Sequence, residues 1–268
     1  MPFTLSHPAA ALVAAPLLGR LAVPSALAIG TMAPDLPYFV AAPIPRSVTH
    51  TLSSILWFSL PLGWLGYLVF ERVLRAPAVE LLPAAVRQRL TRSGQLARPL
   101  AVTLSVAVGA FTHVLWDAIT HSSPAAVHEI GFLADLVRAI DRLPLTTYPV
   151  MQYGSTLVGL GALVVYGLRW RHRAPLRPAQ DVCEIPEPVR WRGRVALLVL
   201  PAVFGLGIAG LIGPTVSNFK TLVWLVVHAA VAGISCGVAL LALASVWLRT
   251  FDGASEKRLP RVANSLTP

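Results

Sequence analysis

Three side chains able to ligate a metal recur at four-residue intervals in FTHVLWDAITH, residues 111–121: His113, Asp117 and His121. In a helix, positions i, i+4 and i+8 advance by about 40° per step, so all three lie on one stripe. An imidazole and a carboxylate on adjacent turns can hold one ion between them. His113 and His121 are about 12 Å apart along the axis, too far to share one ion, whereas Asp117 can bridge two. The stripe begins inside an apolar run, where an uncompensated His or Asp costs several kcal/mol; it must therefore face protein or a wet cavity. A hydrogen-bonded polar seam between helices accounts for the triple, taken alone, equally well.

Other ligand types stand near the same membrane face. GTMAPDLPYF sets Asp35 on a stiff turn between Pro34 and Pro37. RSVTHTL places His50 just before an apolar run, with Thr49 as a helix-cap candidate. FTLSHP places His7 before Pro8, which suits a first helical position. Together His7, Asp35, His50, His113, Asp117 and His121 suit Zn or another divalent ion, one to two in number. Arg46 is the nearest cation and can meet a phosphate oxygen. Gln152 and Tyr153, in PVMQYGST, can line a substrate pocket, although a Tyr there also serves as an interfacial anchor. His228 suits a helix-packing hydrogen bond, and no role attaches to His128 or His172.

The elements that must carry these residues are membrane helices. Of 268 residues, 55% are hydrophobic and only 13% charged, and the mean hydropathy is +0.67. This composition points to an integral membrane protein. Five stretches, 52–71, 99–120, 151–169, 195–213 and 221–248, approach the ~20 residues that cross a bilayer. Residues 8–33 are apolar but broken by Pro16, Arg20 and Pro24, so a re-entrant or packed helical hairpin is expected there. MPFTLSHPAA lacks the basic region of a secretory signal. The fold class expected is all-α: a polytopic membrane bundle of about five transmembrane helices plus that broken N-terminal segment. The chain is expected to be one domain, with the metal-site half in 1–160, further transmembrane helices in 161–250 and a disordered tail in 251–268.

The net charge of +10 would suggest nucleic acid in a soluble protein, but its distribution fits topology selection better than the runner-up, a phosphate-tracking surface, so no nucleic-acid partner is expected. Arginines crowd into 72–98, 169–194 and the segment from Arg249 onward, and thin out in 121–150 and 214–220. Rich and poor segments alternate through all five spans. The positive-inside rule then sets the basic segments and the C-terminus in the cytoplasm of a bacterium-like cell, with the His/Asp residues at the outer face of its cell membrane. Cys183 and Cys236 have neither disulfide-framework nor metal-site spacing. GLGIAGLIG at 205–213 lies inside a span, so small-residue helix packing explains it better than a nucleotide loop.

FTLSHPAA, MAPDLPYF, THTL, THVLWDAITH and QYGS together resemble the membrane-protein family called domain of unknown function 4184. That family is similar to proteins described as membrane-bound metal-dependent hydrolases, and distantly resembles the zinc-dependent phospholipases C. The resemblance implies that His7, Asp35, His50, His113 and Asp117 are ligands, with Asp117 bridging and Asp35 also acting on the attacking water. His121 matches with different spacing. The later His-xxx-Glu pair of the soluble enzymes has no counterpart here, which favours two ions over three. The function expected is hydrolysis of a phospholipid or another amphiphilic phosphate ester. The alternative is a non-enzymatic membrane protein: a metal or proton carrier, or a scaffold held by a structural metal or a polar seam.

Overall fold

The computed structural model describes residues 4–40, 42, 44–91, 96–120, 147–176, 185–213 and 215–258, the last eight and a few other helix positions by backbone alone. Every regular element among the described residues is helical. Four helices are long and apolar enough to cross a membrane, over Pro99–Ala118, Val150–Arg173, Glu187–Ile212 and Thr221–Thr250, as a membrane protein requires.

In chain order, a 3₁₀ turn Thr4–Ser6 leads into α1 (Ala9–Leu18), a second turn Gly19–Leu21, α2 (Pro24–Gly30), a third turn Ala33–Asp35 and the short α3 (Leu36–Phe39). Residues 55–81 form α4, in which π segments Ile55–Ser59 and Phe70–Leu74 alternate with α segments Leu60–Val69 and Arg75–Leu81. Then come α5 (Pro99–Thr120), α6 (Thr147–Arg173), α7 (Glu187–Ile212) and α8 (Phe219–Arg258). The stretch expected as a first span at 52–71 is thus helical but interrupted. Pro61 has no N–H for the carbonyl four residues back, and a π segment stands immediately before it. Helix α8 runs beyond 248 into the segment expected to be a disordered tail, as far as Arg258; residues 259–268 lie outside the described residues.

Helix α5 is the central element. It is far more buried inside the protein than α6, α7 and α8, whose apolar residues are largely exposed. Two stripes at four-residue spacing explain its position. Val102, Val106, Ala110, Val114 and Ala118 form a buried apolar stripe. Beside it run Ala101, Ser105, Gly109, His113 and Asp117, which are small or polar and also buried. Ala26 and Tyr67 pack on Val102 and Val106, and Ile55 packs on Ala110 and Val114.

The broken N-terminal segment is a hairpin lying against α5. At its tip the backbone leaves helical geometry, and Ser105 supplies the missing partners. The Val23 N–H donates to Ser105 Oγ at 2.9 Å, and the Ser105 hydroxyl donates to the Leu21 carbonyl at 3.3 Å. Irregular backbone at this depth is stable only when protein satisfies it. Helices α2 and α5 cross at two glycines: a Cβ on Gly30 would press into the Val106 backbone, and one on Gly109 into the backbone of Leu27 and Thr31. Helices α7 and α8 use the same device, Gly205 lying against Ala229 and Gly233 against Pro201.

The three basic segments meet at one end of the bundle. Arg89 donates to the Ala174 carbonyl, Arg190 to Glu80, and Arg249 to the Arg72 carbonyl. Asp117 lies at the other end of α5, about 27 Å from Pro99 at 1.5 Å per residue.

Candidate functional site

Because the hairpin returns, its entry and exit arrive at the same end of α5. His7 sits between the first 3₁₀ turn and α1, Asp35 closes the turn after α2, and His50 follows the helical turn Arg46–Thr49. All three meet His113 and Asp117, and the five residues are between 1% and 5% exposed.

His113 Nε2 is 3.2 Å from His50 Nε2, 3.5 Å from Asp117 Oδ2 and 3.7 Å from Asp35 Oδ1. His50 Nε2 lies 3.2 Å from Asp35 Oδ1 and 3.4 Å from Asp117 Oδ2. His7 Nε2 is 3.7 Å from Asp117 Oδ1, and its ring stacks on that of His113 with centroids 3.9 Å apart. Two overlapping triads, His7–Asp35–His113 and His50–His113–Asp117, each have ligand atoms close enough to hold an ion; because His113 is common to both and has one nitrogen left to offer, they are alternative seats for one ion at that nitrogen.

A ring of polar partners fixes these side chains from behind. His113 Nδ1 donates to the Thr31 carbonyl at 2.7 Å, since a carbonyl can only accept. Its Nε2 therefore faces the cluster. Thr4 Oγ1 donates to Asp35 Oδ2 at 2.8 Å. The Thr49 hydroxyl meets His50 Nδ1 at 2.7 Å and can serve as donor or acceptor, which leaves either tautomer available at Nε2. Arg46, whose side chain is 28% exposed, reaches in to pair with Asp117 Oδ2. Inside this ring, His7 Nε2 and Asp35 Oδ1 are buried without a hydrogen-bond partner among the described residues. An uncompensated polar atom of that kind costs about 1–3 kcal/mol.

Burial, reinforced by His113, lowers the His7 pKa to about 3, so the imidazole is neutral at physiological pH and has a lone pair to offer. Burial works against ionisation of Asp35, but His113 and the adjacent His50, 3.2 Å away, outweigh it and hold its pKa below the ordinary value. Asp35 thus offers an ionised oxygen and His7 a neutral nitrogen, donor types that suit a divalent cation. Tetrahedral bonds of about 2.0–2.1 Å place ligand atoms about 3.3–3.4 Å apart. The 3.2–3.7 Å separations bracket that value.

Of the residues singled out in the sequence, His7, Asp35, His50, His113, Asp117 and Arg46 are together. His121 lies outside the described residues. Gln152 and Tyr153 are on the first turns of α6, partly buried and 39% exposed respectively. That helix reaches the N-terminal turn through Gly159, which packs on Ser6. His228 bonds the Trp224 carbonyl and stacks on its ring, a contact within its own helix. Three partners escaped the sequence reading. Thr31 acts through its backbone, which no side-chain pattern reveals. Thr4 has its only signal in lying within FTLSH. Tyr38, half-buried beside Asp35, has its hydroxyl pKa raised by burial and then by that carboxylate.

A family model described as Domain of unknown function (DUF4184) matches residues 1–246. The chain belongs to this family. No curated protein and no solved structure matches it.

Proposed function

We propose that this member of the family is a membrane-embedded hydrolase that depends on a divalent metal, zinc or a similar ion, and acts on an amphiphilic phosphate ester such as a phospholipid. One observation carries the reading: five buried His and Asp side chains converge with the separations of a metal coordination shell, held from behind by Thr4, Thr31 and Thr49. His113 belongs to both candidate triads, with His7 and Asp35 in one and His50 and Asp117 in the other, and its Nε2 would serve one ion at a time.

A divalent ion held by these residues would supply Lewis acidity and activate water near neutral pH. The protein side chains supply the rest. Asp35 has one oxygen fixed by Thr4 and the other turned into the cluster, where it can take the proton of an attacking water. As water oxygen bonds to phosphorus and the ester oxygen leaves, that proton passes to the leaving oxygen. Arg46, reaching in from the surface, is placed to meet an anionic oxygen of the ester. Because the cluster lies near one end of α5, the reactive headgroup would approach from the membrane–water boundary. By the arginine distribution that boundary is the outer face of a bacterial cytoplasmic membrane. A carrier is less well supported: on the stripe below His113, Gly109, Ser105 and Ala101 offer no titratable group, and Ser105 is engaged by the hairpin tip.

The test is the metal content of detergent-purified protein by mass spectrometry, beside His113→Ala and Asp117→Ala. One to two transition-metal ions per chain, lost in both variants, is the expected result, and phosphoester hydrolysis should disappear with them. Metal-free protein from metal-replete, chelator-free medium would sink the mechanism. The cluster would then be a hydrogen-bonded seam, for which the Arg46–Asp117 and Thr4–Asp35 contacts already provide the start.

A further inference from the structure

At the opposite end of the bundle a cavity of about 510 Å³ opens between the last segment of α4, α7 and α8. Its walls are apolar, built by residues such as Leu81, Val189, Leu197, Leu243 and Leu248. A space so lined is not a water site, and its size is that of a small-ligand pocket. Its rim is different. Trp247 lines the cavity with Arg249 two residues on, and Trp191 stands between the lining residues Arg190 and Arg192. Trp and Arg together mark the level where hydrocarbon gives way to headgroups.

The rim carries a surplus of positive charge with an uneven distribution of partners. Arg190 is buried and bonded to Glu80 at 3.0 Å; Arg194 pairs with Glu187 at 2.7 Å and donates to the Leu81 carbonyl at 2.8 Å. Arg87 reaches the Leu82 carbonyl and lies 4.0 Å from Glu187. Three arginines thus gather about two glutamates. Arg192 lines the cavity, is exposed, and has no hydrogen-bond or ion-pair partner among the described residues.

We infer that this cavity is a binding site for an anionic phospholipid, one acyl chain filling the apolar space and the phosphate held at Arg192. The chemistry on each side of the rim is complementary to one half of that molecule and to neither half of a soluble ligand. A zwitterionic phospholipid would fit the cavity but bring its own cation to a rim already in cationic excess. The site is separate from the His/Asp cluster, and its occupancy does not depend on whether that cluster hydrolyses anything.

The experiment is native mass spectrometry of the full chain, delipidated in detergent and titrated with dioleoyl phosphatidylglycerol or dioleoyl phosphatidylcholine. One phosphatidylglycerol should bind about fivefold or more tightly than phosphatidylcholine, the preference one basic side chain confers near an anionic headgroup. Arg192→Ala should abolish that preference, and Ala244→Trp, which fills the cavity, should remove the tight lipid altogether. Arg192 is exposed, so its variant tests the inference even if Ala244→Trp fails to fold. Equal affinity for the two lipids, or a single tight phosphatidylglycerol that survives Arg192→Ala, would overturn it and leave ordinary surrounding lipid as the explanation.

Discussion

At the scale of single residues, each side chain of the cluster has a distinct task. His113 is the hinge of the site: its Nδ1 is committed to the Thr31 carbonyl and its Nε2 is shared by both triads. Arg46 is the only cation in contact with the cluster among the described residues, and it is the member nearest to solvent. Under the proposed function, Arg46→Ala should leave metal content unchanged and raise KM about tenfold or more, the value of a hydrogen bond to a charged group. Steady-state kinetics beside metal analysis checks this. If Arg46→Ala lost the metal, the residue would be a structural counter-charge to Asp117 instead. His7, Asp35, His50, His113 and Asp117 could be read from the sequence because such residues are costly in or beside apolar runs and so stand out against them. Thr31 could not, because what it contributes is a peptide carbonyl.

At the scale of elements, the crossing of α2 and α5 controls the site. Gly30 and Gly109 allow the backbones to touch, and the same contact delivers the Thr31 carbonyl to His113. Gly109→Ala should therefore lower the thermal midpoint of the detergent-solubilised protein by several degrees, in line with the 1–3 kcal/mol typical of overpacking. It should weaken metal retention as well. Gly154→Ala, where an added methyl meets nothing within 4 Å, should be neutral or stabilising by up to about 1 kcal/mol. Similar midpoints for the two variants would show that the close crossing is not what holds the site. Pro16, Arg20 and Pro24 indicated a hairpin; the structure keeps Pro16 within α1 and makes the break at the Gly19–Leu21 turn, ahead of Pro24 at the start of α2. That Ser105 would receive its tip was not visible, because a lone serine in an apolar helix has many uses.

At the scale of the whole molecule, the two ends have opposite characters. One collects the basic segments and the other the His/Asp cluster. If the basic end is cytoplasmic, a cysteine at Ala84 in a cysteine-free background should be labelled only from the cytoplasm, and one at Ser217 or at position 125 only from outside. The reverse pattern would invert the orientation and move the cluster to the inner face. Composition and apolar run length determined that this is an all-helical membrane protein, because a chain crossing lipid must satisfy its backbone within each helix. Arginine alternation set an expected orientation, and four-residue spacing set the His/Asp stripe of α5. Only the tertiary structure decided that the hairpin folds back along α5, that the 52–71 stretch is interrupted by π segments, and that His7, Asp35 and His50 share one pocket with α5. Those outcomes depend on which small residues let helices approach and which backbone groups they leave to be satisfied. Such contacts link positions 31 to 113 and 21 to 105, separations over which no local pattern carries information.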